Sequence, residues 1–121
     1  MKNVYVIGIG LIGGSFALDL KALKPEVVVH GIDHNEAHLT TALELRLIDK
    51  KAIFDDVKNA DLVILAIPVN ATLKLLPMLL DFIPKQGIVV DMGSTKEAIC
   101  NVVENHPKRS QFLANHPIAG T

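Results

Sequence analysis

Three glycines, Gly8, Gly10 and Gly13, stand in the spacing G-x-G-x-x-G, and Asp33 follows 20 residues after the last of them. In a tight strand-to-helix turn each glycine has a task. Gly8 permits the backbone angles of an abrupt strand exit, Gly10 lets a diphosphate approach a main chain that has no Cβ, and Gly13 lets the new helix pack closely on the sheet. The unpaired N–H groups and positive dipole end of that helix, with Leu11 and Ile12 at its start, then face an anion. A carboxylate at Asp33 can accept both ribose hydroxyls of an adenosine, and its charge repels a 2′-phosphate. The chemistry these residues suit is dinucleotide binding, with NAD preferred over NADP.

The elements that would position them read directly from the neighbouring residues. Val4, Tyr5, Val6 and Ile7 make a β-branched and apolar run into Gly8, and Phe16, Ala17, Leu18 and Leu20 follow the turn at helical spacing. No charged residue falls between Lys2 and Asp19, so a basic start before an apolar run has the outline of a secretory signal. Five small residues, Gly8, Gly10, Gly13, Gly14 and Ser15, interrupt that run, and no apolar stretch approaches the roughly 18 residues of a membrane span.

Further along, Lys24-Pro25-Glu26 ends the first helix and Val27 to Ile32 reads as a second strand, apolar throughout as a parallel strand covered on both faces should be. Asn35 suits the N-cap of a helix whose Leu39, Ala42, Leu43 and Arg46 share a face, with Arg46 at its solvated end. Ala52 to Phe54 suggests a short third strand, and Asp55, Asp56, Lys58 and Asn59 a polar turn. The fourth strand, from Ala60, should end at Ile67 before Pro68, which cannot donate a ladder hydrogen bond. Val69, Leu73, Leu76, Leu80 and Ile83 recur at helical spacing, and Pro77 inside the pattern should kink or split that helix. Ile88 to Met92 is a fifth strand ended by Gly93; Ser94-Thr95-Lys96-Glu97 has the form of a capping box before Ile99, Val102 and Val103, which face inward. Pro107, Lys108 and Arg109 close that helix, and Gln111 to Asn115 suggests a sixth strand.

Alternating β and α segments with short turns imply one α/β domain over 1–121: a doubly wound parallel sheet of the Rossmann kind, in the order 3-2-1-4-5-6. Ligands bind such sheets beyond the carboxyl ends of the strands, where strand order reverses. Gly8, Asp33, Pro68, Ser94 and His116 should all fall at that edge, with Ala66 and Ile67 among the cofactor contacts. At this level Ser94 reads equally as a helix cap, His116 as a loop histidine and Lys96 as a first-turn lysine. His30, His34, His38 and His106 fit no ligand pattern and read as surface or strand-end residues.

Composition narrows the classes. Half the residues are hydrophobic and 21% charged, which suits a folded domain with buried strands and not a disordered chain. A net charge of −1 without a basic run gives no support for a nucleic-acid surface. The single cysteine, Cys100, allows no internal disulfide, contributes to no metal cluster, fits a reducing cytoplasmic setting, and packs best as a small hydrophobe.

Five segments together resemble the nucleotide-binding domain of the prephenate dehydrogenase family: V-I-G-I-G-L-I-G-G-S (6–15), G-I-D (31–33), A-D-L-V-I-L-A-I-P-V (60–69), V-D-M-G-S-T-K (90–96) and H-P-I-A-G (116–120). The first three would suit many NAD enzymes; the last two, in this order and spacing, point to this family. The resemblance implies oxidative decarboxylation of prephenate to 4-hydroxyphenylpyruvate in tyrosine biosynthesis, with His116 taking the proton of the ring hydroxyl and Ser94 orienting it. It also implies a helical dimerisation domain that would follow Thr121 and complete the substrate pocket, so this chain alone should bind NAD with little or no turnover. Other functions consistent with the residues are an arogenate dehydrogenase, another dehydrogenase of this fold, and a non-catalytic NAD-sensing module; retained Ser94 and His116 favour an enzyme.

Overall fold

A computed structural model describes residues 2–8, 11–92 and 103–114. Strand β1 (Asn3–Ile7) sits at the middle of a six-stranded sheet in which every pairing is parallel. Around it lie β2 (Val28–Ile32), β3 (Lys50–Lys51), β4 (Leu62–Leu65), β5 (Ile88–Asp91) and β6 (Phe112–Ala114), in the order β3-β2-β1-β4-β5-β6. Helices α1 (Leu11–Leu23), α2 (Glu36–Glu44) and α3 (Val69–Phe82) connect them. The expected doubly wound order is therefore observed.

Why the central strands β1 and β4 are almost wholly apolar is visible in where alternate side chains go. Tyr5, Ile7, Val63, Leu65 and Val89 pack on one face with Leu76, Leu79 and Leu80 of α3. Val4, Val6, Val29 and Ile64 pack on the other with Ala17 of α1 and with Leu39 and Ala42 of α2. Successive residues of a strand point to opposite faces, and both faces here are covered by helices, so beyond Asn3 at the start of β1 no position along β1 or β4 carries an amide or a charge. Of the four apolar residues at helical spacing in α1, Leu18 is 52% exposed, because the stripe that meets the sheet runs through Ala17, Phe16 and Leu20.

The third strand lies elsewhere than expected. It is Lys50–Lys51, paired with His30 and Gly31, while Ile53 and Phe54 lead into a 3-10 turn spanning Phe54–Asn59. The Asp56 carboxylate accepts the Ile53 N–H at 3.0 Å, which diverts the chain from the ladder. A two-residue edge strand built from lysines carries no hydrophobic signature, and charged residues are what an exposed sheet edge favours. Asp49 just before it accepts hydrogen bonds from Lys21 of α1 and from the Val29 N–H. Burial pushes the Asp49 carboxyl up, and those hydrogen bonds outweigh it, leaving it below its ordinary value.

Strand β4 ends at Leu65, two residues before the expected stop, and Pro68 stands at the N-cap of α3. Pro77 lies inside α3 without dividing it into two helices, because Leu76, Leu79 and Leu80 around it are fully buried against the sheet and hold the segment in place. Arg46 lies beyond α2 and not on its buried face: its φ of 60° places it in the left-handed region where the helix turns off. The helix expected after Ser94 lies almost wholly outside the described residues; those from Val103 on form turns and a 3-10 segment, Arg109–Gln111, before β6.

Candidate nucleotide-binding site

The carboxyl ends of four adjacent strands, β2, β1, β4 and β5, are laced together just beyond their last ladder bonds. The Gly8 N–H donates to Ile32 O at 2.8 Å, the Ala66 N–H to Ile7 O at 2.9 Å, and the Met92 N–H to Leu65 O at 2.9 Å. Above this edge, between the ends of β1, β2 and β4, opens a crevice of about 620 Å³. That is the size range of a cofactor cleft, and it stands where the strand order reverses.

Gly8 is required there twice over. Its φ is +95°, a conformation that L side chains rarely adopt, and a Cβ would stand 2.6 Å from Ala66 O and 2.7 Å from Ile67 Cγ2. The chain can thus pass close over the end of β4. Leu11, Ile12 and Gly13 form the first turn of α1, which carries no acidic residue, and a helix N-terminus of that kind favours an anion. Gly14, which the motif does not count, serves the packing: a Cβ there would meet Leu47 Cδ1 at 3.0 Å.

Asp33 follows β2 with its side chain only 7% exposed. One carboxylate oxygen accepts the Asn35 N–H at 2.9 Å; the other lies 3.4 Å from His38 Nδ1, and His34 Nδ1 is 3.6 Å from the first. Asn35 caps α2 as its sequence position suggested, accepting the Ala37 N–H at 2.9 Å and the His38 N–H at 3.3 Å. Asp33 is therefore anchored by the start of the helix that follows it.

Gly8, Asp33, Ala66, Ile67 and Pro68, far apart in sequence, all line the one crevice. Gly10, Ser94 and His116 lie outside the described residues, as do Lys96 and Cys100. Sequence reasoning missed His34 and His38, which line the crevice beside Asp33, and Ile53 and Phe54, which form an apolar wall with Ala71 and Leu75 of α3. A signal for the histidines existed: one directly follows Asp33, and the other stands in the first turn of the helix that Asn35 was expected to cap. Of the remaining histidines, His30 is interior to β2, its ring stacked on Tyr5 at 4.2 Å and 8°. His106 sits beside the end of α3, 2.8 Å from Asp81.

An open crevice at the switch point, a glycine at the strand exit before a helix whose first turn carries no acidic residue, and a shielded carboxylate define a nucleotide-binding domain of the Rossmann class. The family profile described as "Prephenate dehydrogenase, nucleotide-binding domain" matches residues 16–121, and the chain belongs to that family. It is 36% identical to the prephenate dehydrogenase of Lactococcus lactis and 38% identical to that of Bacillus subtilis, in each case over all of this chain. It spans about a third of those relatives' length, 35% and 34%. Among solved structures it is similar to a prephenate dehydrogenase from A. aeolicus in complex with hydroxyphenyl propionate and NAD+, with a TM-score of 0.86 and 31% identity over all of this chain and 43% of that one. It is also similar to the arogenate dehydrogenase of Synechocystis, at a TM-score of 0.79 and 29% identity over 98% of this chain and 42% of that one. Among the described residues no helix is long and apolar enough to cross a membrane, and no group of three or more metal-ligating side chains occurs.

Proposed function

We propose that this chain is the NAD-binding domain of an NAD-dependent prephenate dehydrogenase, and that oxidative decarboxylation of prephenate to 4-hydroxyphenylpyruvate belongs to a longer homodimeric enzyme carrying it. The observation that supports this best is the convergence of Gly8, Asp33 and Ala66 to Pro68 on one crevice at the switch point. The residues fit the cofactor. The Gly8 turn and the first turn of α1 would hold the diphosphate, and Asp33 would take the adenosine ribose, with the wall of Ile53 and Phe54 alongside.

When bound, NAD supplies the hydride acceptor. The chain's own part in the reaction is proton handling and orientation. Neutral His116 accepts a hydrogen bond, and then the proton, from the ring hydroxyl of prephenate, since a carbonyl forming at that carbon requires its proton to be taken near neutral pH. Ser94 orients that hydroxyl. A cyclohexadienyl dehydrogenase of Zymomonas mobilis, 34% identical over 99% of this chain and 42% of its own length, supports a second substrate reading, in which the aminated relative arogenate is also accepted.

Calorimetric titration with NAD and, separately, NADP tests the proposal. Saturable NAD binding, weaker NADP binding, and relaxed discrimination in Asp33→Asn are the expected results. Binding of neither nucleotide would overturn it.

A further inference from the structure

The two histidines beside Asp33 have no part in the reading above, and their placement gives them one. His38 Nδ1 lies 3.4 Å from one oxygen of Asp33 and His34 Nδ1 3.6 Å from the other, so the carboxylate is flanked on both sides. Both rings reach solvent, the His34 side chain fully and that of His38 by 53%, and both line the crevice. We propose that His34 and His38 are specificity-determining residues of this dinucleotide site: as imidazoliums they offset Asp33 and seat a 2′-phosphate, so the preference for NAD over NADP narrows in acid.

The local charges decide the direction. Among the described residues, Glu36 on α2 pairs with Lys51 on β3 at 3.1 Å, and the Asp56 carboxylate is engaged behind the crevice wall by the Ile53 N–H. Ala71 and Leu75 of α3 and the stretch from Ala52 to Phe54 bring no charge to the crevice. With neutral imidazoles, the Asp33 carboxylate presents negative charge where a 2′-phosphate would sit, and NADP is repelled. With both imidazoles protonated, two positive charges flank that carboxylate. Histidine is the side chain that changes charge between about pH 5 and 8. Charges roughly 4 Å apart in a partly solvated site interact strongly enough to change an affinity by about tenfold or more. NAD, with no charge at that position, gains nothing from the change.

The inference rests on the dinucleotide reading of the crevice, and the test separates the two. NAD and NADP are titrated calorimetrically into the chain at about pH 8 and pH 5.5, in the wild type and in a variant carrying His34→Asn and His38→Asn, with circular dichroism confirming that both are folded. A phosphomonoester itself titrates near pH 6, so the variant supplies the baseline. The expected result is that the NAD-to-NADP affinity ratio falls by about tenfold on acidification in the wild type and by under about threefold in the variant. Tight NAD binding with a ratio that does not move, or that moves equally in the variant, would overturn the histidine assignment alone. Binding of neither nucleotide at either pH would overturn the dinucleotide reading and this inference with it.

Discussion

Gly8 shows how one missing side chain holds the site together. Its positive φ and the 2.6 Å that would separate a Cβ from Ala66 O are independent obstacles to substitution. Gly8→Ala should cost about 1–3 kcal/mol of stability and abolish nucleotide binding, as urea melts and calorimetry will show; retained binding would mean that the turn can re-route. His30 offers a second prediction, in pH. Burial, with some help from the charge of Lys50, holds this imidazole below its ordinary value of 6.5. The unfolded chain therefore binds more protons there than the folded one, so stability contributed at neutral pH is lost as pH falls through the ordinary histidine value towards the lower folded one. His30→Phe, which keeps a ring against Tyr5, should remove this part of the acid sensitivity. The contribution of Asp61 should persist in that variant. Hydrogen bonds from the Asn3 and Lys2 N–H groups hold its carboxyl below 3.8, so its contribution is lost only at lower pH. Melting curves from pH 8 to 3 distinguish the two, and an unchanged slope near 6.5 would rule out His30.

At the scale of elements, the end of α2 is the place where local preference and fold disagree. The Leu47 N–H reaches back to Ala42 O at 2.8 Å and the Arg46 N–H to Leu43 O at 3.1 Å, the paired bonds of a Schellman motif. The residue between, where glycine is usual, is Arg46 at φ 60°. Arg46→Gly should raise stability by about 1 kcal/mol in chemical denaturation. A loss instead would show that the arginine side chain makes a contact outweighing its backbone strain. The motif also explains why an arginine at helical spacing after Leu39, Ala42 and Leu43 does not continue the buried face: by position 46 the helix has already ended. β3 carries the same lesson. A two-residue lysine strand is specified by its neighbours, through the Asp49 N–H to Val29 O and the Ala52 N–H to Gly31 O, and not by its own composition.

For the whole molecule, the sheet delivers chemistry-bearing residues to one edge, and the proposed turnover calls for more than that edge. In an intact enzyme carrying this domain, His116→Asn should lower kcat by about 10²-fold while leaving NAD affinity nearly unchanged, as loss of a general base does. Turnover near that of the parent enzyme would reduce His116 to a loop residue. The amino-acid sequence by itself determined the strand order, the glycine turn, the Asn35 cap and the meeting of Gly8, Asp33 and Pro68. Each follows from short-range patterns, and strands covered on both faces announce themselves by unbroken apolar runs. Only the tertiary structure decided where β3 pairs, that α3 carries Pro77 undivided, that Leu18 faces water, and that two histidines flank Asp33. These depend on which neighbour a residue meets across the fold: a ladder partner for Lys50, buried leucines around Pro77, and a carboxylate at the tip of β2 for His38.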